Sequence, residues 1–155
     1  MATADALDLS LLYERDETAW LEAMSALAAS GRYAEMDFQN LSEYLADMAR
    51  RDRREVFSRL VVLLTHLLKW EHQPERRSGS WRGTIMEQRR ELRQLLDSGT
   101  LRNHAAVVLA DAYAAARHQA AAETELPLDV FPAEGARGLD ELLAETETES
   151  GGGSV

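Results

Sequence analysis

The chain contains no cysteine. That one absence excludes disulfides, zinc sites built on thiolates and cysteine nucleophiles, and it is compatible with a reducing cytoplasm. No apolar run approaches the roughly 18 residues of a membrane span. The first ten residues, MATADALDLS, lack the basic start and apolar stretch of a signal peptide. The expectation is a soluble, cytoplasmic protein with no membrane association. Catalytic signatures are missing as well. There is no Gly-x-Ser-x-Gly and no glycine-rich phosphate loop before a helix. There is also no Glu-x-x-His, the spacing that aims two ligands into a di-iron bundle. No catalytic residue, cofactor or metal site is assigned, and the reading points away from an enzyme.

What is present is an ordinary globular composition, 45% apolar and 28% charged over 155 residues, enough for one core. The net charge of -10 argues against a generally nucleic-acid-binding surface. Its distribution is uneven: Arg50 to Arg93 holds 12 Lys/Arg against 6 Asp/Glu, and the rest of the chain 5 against 21. Such segregation creates either a basic patch for an anionic partner or a basic central hairpin paired with acidic outer helices.

Apolar residues recur at helical spacing almost throughout. Asp16 is placed to cap a first helix carrying Trp20, Leu21, Met24 and Leu27 and closed by Gly31. A second begins near Asp37, with Met36 and Leu41 at the positions of a hydrophobic staple. No glycine or proline interrupts it, so it reads as a rod to about His72, stopped by Pro74, with a break near Arg51 as the alternative. Its stretch VFSRLVVLLTHLLKW is apolar on more than one face and marks the most buried helix. A third helix is capped by Ser78 or Ser80 and ends at Gly99, and Thr100 caps an alanine-rich fourth. Pro127 and Pro132 bracket an extended segment, and a short helix follows around Leu139 to Leu143. The fold class is all-α: an antiparallel up-and-down bundle of about four main helices, with a long central helix and a short C-terminal one. Residues 1–12 read as a flexible N-terminus, 13–144 as a single helical-bundle domain, and 145–155 as a disordered acidic, glycine-rich tail.

The segment HLLKWEHQPERRSGSWRGTIMEQRRELRQLL resembles the signature of the bacterial family known as domain of unknown function 29. YERDETAW, DFQNLSEYLADMA and LPLDVFPAEGARGLDELL carry the same resemblance. Together these stretches run from about Tyr13 to Leu143. The chain departs from the family pattern at Tyr44 and Ala46, where acidic residues are common, and at Ala49, where glycine is expected. The resemblance implies an all-α bundle in a bacterial protein and brings no established activity with it.

Within the signature, Arg82 is the chemical oddity. A cation in the first turn of a helix opposes the helix dipole and needs compensation. One solution is an anion, or a partner's carboxylate, held by Arg76, Arg77 and Arg82. The other is internal: Glu71, Glu75 or a carboxylate from the first two helices pairs with Arg82 while Trp70 and Trp81 pack together, Pro74 stops the helix and His66 hydrogen-bonds in the core. A second basic segment, Arg50, Arg51, Arg53 and Arg54, is a candidate nucleic-acid contact, although no aromatic residue interleaves it for base stacking. His66 and His72 lie six apart, about 240° around a helix, and cannot chelate one ion. A metal site would have to gather His66, His104 and His118 across helices.

Three functions remain from this reading. The first is a non-catalytic protein-protein interaction or regulatory module, acting on an unidentified protein or on a second copy of the chain. The second is a nucleic-acid-associated regulator using Arg50 to Arg93. The third is a metal-dependent hydrolase.

Overall fold

The computed structural model describes the backbone of residues 2–144, with side chains from Asp8 onward. The expected tail, 145–155, lies outside the described residues. The fold is an all-α bundle of six helices among the described residues: α1 (Ala2–Arg15), α2 (Glu17–Ala29), α3 (Phe38–His72), α4 (Gly79–Leu95), α5 (Gly99–Thr124) and α6 (Leu139–Ala144). Helix α3 is continuous over 35 residues, which settles the alternative of a break near Arg51. By its contacts the chain divides into two compact units between Arg50 and Arg51.

The first unit is built around Trp20, which is fully buried. Its ring meets Tyr13 edge-on at 4.7 Å and Tyr44 at 5.8 Å, and its Nε1 donates to Asp37 Oδ2 at 3.2 Å. Asp37 also caps α3, its Oδ1 accepting from the Asn40 amide at 3.3 Å, so one carboxylate starts a helix and satisfies the indole. Asp16 caps α2 as expected, accepting from the Ala19 amide, and Gly31 closes that helix at φ +72, a left-handed conformation that suits glycine.

The second unit has the larger core. Val56, Leu60, Leu63, Leu64, Leu67 and Leu68 of α3 pack with Ile85 and Leu92 of α4, Phe131, and Leu142 and Leu143 of α6. Each buried aliphatic side chain of this kind contributes about 1.5–3 kcal/mol relative to exposure. Helix α5 presents Ala105, Ala112, Ala116 and Ala120 to this core, small residues that let neighbouring backbones come close.

Two boundaries differ from expectation. Ser98, not Thr100, caps α5, accepting from the Leu101 amide at 3.4 Å; Gly99 therefore opens α5 rather than ending the helix before it. The segment between Pro127 and Pro132 contains a 3-10 turn over Leu128–Val130 instead of running extended, with only Phe131 buried. Tyr113 and Arg117 hold it down: the Tyr113 hydroxyl donates to the Pro132 carbonyl at 2.7 Å and Arg117 Nε to that of Phe131 at 3.0 Å.

Glu125 ends α5 in the left-handed region, φ 59, where a side chain is strained and glycine is not. Glu125→Gly is expected to stabilise the protein by up to about 1 kcal/mol, raising the melting temperature by about 2–4 °C at most. A lower melting temperature would show that the Glu125 side chain contributes more than its backbone costs.

Candidate docking corner between the third and fourth helices

Helix α3 ends because Pro74 cannot continue it; a 3-10 turn over Pro74–Arg76 follows, and Ser78 starts α4 by accepting from the Trp81 amide at 3.3 Å. With Ser78 as the cap, Arg82 is the fourth helical residue, its own amide bonded to the Ser78 carbonyl at 3.1 Å. Its charge therefore sits at the end of the first turn, where the dipole's opposition is already falling off.

Both nearby guanidinium groups lie over the ring of Trp70, Arg77 at 4.9 Å from the centroid and Arg82 at 5.8 Å. Arg77 Nε also donates to the Trp70 main-chain carbonyl at 2.8 Å, filling one of the acceptors left open at the end of α3. Arg76 is exposed beside them. Among the described residues, none of these three arginines has a carboxylate partner. Glu71, one expected partner of Arg82, pairs instead with Arg137. Trp70 and Trp81 make no ring contact with each other among the described residues; each carries a cation, and for Trp81 it is Lys69 Nζ, 4.7 Å from the centroid. Both rings are half-buried while the guanidinium groups face solvent; a solvent-exposed cation over such a ring is worth about 0.5–1 kcal/mol, enough to orient a guanidinium without neutralising it.

Lys69 also pairs with Glu123 of α5 at 3.2 Å, a link across 54 residues that no sequence spacing signals. Burial pushes the Glu123 carboxyl up. Hydrogen bonds from Gln119 and Lys69, with the charges of Lys69 and His66, outweigh that and leave it below its ordinary value.

The remaining basic residues sort into two groups. Arg59 bonds Glu55 at 2.8 Å and reaches Gln88, while Arg89 and Arg93 donate from Nε to the Leu142 and Leu143 carbonyls at 3.1 and 2.8 Å, holding the end of α6. Sequence reasoning missed all three: Arg89 and Arg93 bond main-chain carbonyls about fifty residues away, which no spacing signals, whereas the Glu55–Arg59 pair has the ordinary one-turn helical spacing. Arg50 pairs with Asp47 one turn earlier. Arg51, Arg53 and Arg54 are exposed, with no ion pair among the described residues. His66 donates from Nδ1 to the Val62 carbonyl at 2.8 Å within its own helix, and His72 does the same to Leu68 at 3.0 Å. Among the described residues, no three His, Asp or Glu side chains come together to hold a metal ion.

A family model, described as Domain of unknown function DUF29, matches residues 12–146. The chain belongs to the DUF29 family. The match begins within α1 and runs through α6, so it takes in most of the helical bundle. No curated protein and no solved structure matches the chain.

The Lys69–Glu123 pair fixes the sign of one pH effect. A carboxylate whose folded pKa is lowered contributes stability that is present above its ordinary value and is lost as pH falls through the lowered one. Glu123→Gln is expected to lower the melting temperature of this DUF29 protein by about 1–3 °C at neutral pH, with the gap closing as the pH is taken into the acid range. A gap that persists unchanged in acid would assign the loss to packing rather than to charge.

Proposed function

We propose that this DUF29 protein is a non-catalytic interaction module of the bacterial cytoplasm, whose Arg76, Arg77 and Arg82 corner binds an acidic segment of a protein partner. The observation that carries this reading is the mode of attachment of the arginines. Arg77 and Arg82 rest on an indole ring, and Arg77 also bonds a carbonyl, so both are oriented while their charge stays available. A guanidinium held in this way loses little further freedom on meeting a carboxylate, and its planar donors favour bidentate pairing. Lysines on flexible stems would lack both advantages.

Arg51, Arg53 and Arg54 support a second reading, nucleic-acid association, because they too are exposed and without ion pairs among the described residues. The two readings separate by chemistry. Phosphate binding loses affinity steeply and linearly with the logarithm of salt concentration, in proportion to the number of contacts.

The test is titration of the full chain with a polyglutamate peptide by calorimetry at about 50 mM salt, beside the double variant Arg77→Glu, Arg82→Glu and the triple variant Arg51→Glu, Arg53→Glu, Arg54→Glu. Loss of about tenfold or more in affinity for the first variant and little change for the second is expected. Equal binding by wild type and the first variant would contradict the reading.

A further inference from the structure

We infer that the outward face of α4 is a helix-docking surface, and that its occupant is the acidic first unit of a second copy of the chain. The inference rests on the proposed role of the arginine corner and names the partner that corner meets.

On α4, Gly79, Gly83, Met86 and Arg90 recur at spacings of four, three and four, which places them on one side of the helix, flanked by Arg82 on one edge, toward the arginine corner, and by Glu87 on the other. All six are exposed, Met86 at 44%, and Arg90 pairs with Glu91. Gly83 lies inside the helix, where glycine is less favourable than alanine, and a Cβ built on Gly79 or Gly83 would meet nothing within 4 Å. Neither glycine is required by a left-handed conformation or by any close approach within the described chain. A neighbouring helix arriving from another molecule supplies the missing reason, since glycines four apart let two backbones approach closely.

The first unit has complementary properties. Residues 1–50 hold ten Asp/Glu against three Arg, a net charge of -7. Among the described residues its buried apolar side chains are Trp20 and Met24, a small core for its length. On the first half of α3, Phe38 and Leu45 are 56% and 59% exposed, seven residues apart on one face, with uncharged Ser42 and Ala49 beside them. That is an apolar, small-residue stripe on an acidic body, matched to a glycine-lined stripe on a basic corner. Charge complementarity selects this pairing over first unit on first unit, which would bring -7 against -7. A two-fold arrangement in which each copy both presents its first unit and receives its partner's closes at a dimer.

The experiment is sedimentation of the full-length chain up to about 100 µM at low and moderate salt, with polyglutamate titration of the same samples. A dimer that weakens with salt is expected. Gly83→Ala should raise the monomer's melting temperature by about 1–4 °C, because alanine is the better helix former, and weaken the dimer about tenfold or more. The double variant Phe38→Ala, Leu45→Ala should weaken the dimer similarly. A monomer at every concentration that still binds polyglutamate through Arg77 and Arg82 overturns the second-copy partner and leaves the acidic-partner reading standing. A monomer that binds no polyglutamate overturns both. A dimer indifferent to Gly83→Ala overturns the α4 face as its seat.

Discussion

A helix that stops leaves its last carbonyls without donors, and the corner between α3 and α4 is arranged around that constraint. Pro74 ends α3, and the Trp70 carbonyl one turn earlier takes Arg77 Nε as its donor. Once Arg77 is drawn back across the turn, its guanidinium lies on the Trp70 ring, and Arg82, at the end of the first turn of α4, reaches the same ring. A single indole thus orients two cations and spans the turn. Cation-ring attraction replaces the ion pair that a buried clamp would need, and so avoids the desolvation that such a pair costs.

The basic character of the middle of the chain is divided between structure and surface. Arg59, Lys69, Arg89 and Arg93 are engaged within the second unit, on carboxylates or on the carbonyls of α6. Arg51, Arg53, Arg54, Arg76, Arg77 and Arg82 have no carboxylate partner among the described residues. The division follows position on the helices. Arg89, beside the core residues Ile85 and Leu92, is buried and committed to α6, whereas Arg82, one turn from the cap, faces solvent. A net-charge count treats these groups alike, although only the second lies exposed with no carboxylate partner among the described residues.

Much of the fold was legible because it rests on local chemistry. Asp16, Asp37 and Ser78 are caps whose bonds reach three residues, and the two-faced apolar stretch after Arg54 marks the buried half of α3. Local ambiguity explains the errors of boundary: Ser98 and Thr100 are both good caps, and Gly99 between them suits either an end or a beginning. In helix α1, among the residues whose side chains are described, Leu9, Leu12 and Tyr13 mark the packed side. The site was legible in composition but not in contacts. The signature segment holds Trp70, Trp81, Lys69, Arg77 and Arg82, yet its spacing does not say that each tryptophan takes a cation rather than the other tryptophan, that Lys69 reaches Glu123 or that Glu71 pairs with Arg137. Glu123 and Arg137 lie tens of residues along the chain.

The most direct measurement is the thermal melt of Arg82→Ala beside wild type, at neutral pH and at low and moderate salt. If Arg82 only rests on Trp70, its removal costs no more than about 1 kcal/mol, and the melting temperature falls by less than about 4 °C with little dependence on salt. A drop well beyond that, largest at low salt, would mean that Arg82 is one half of an internal ion pair, and would contradict an arginine corner held open for a partner.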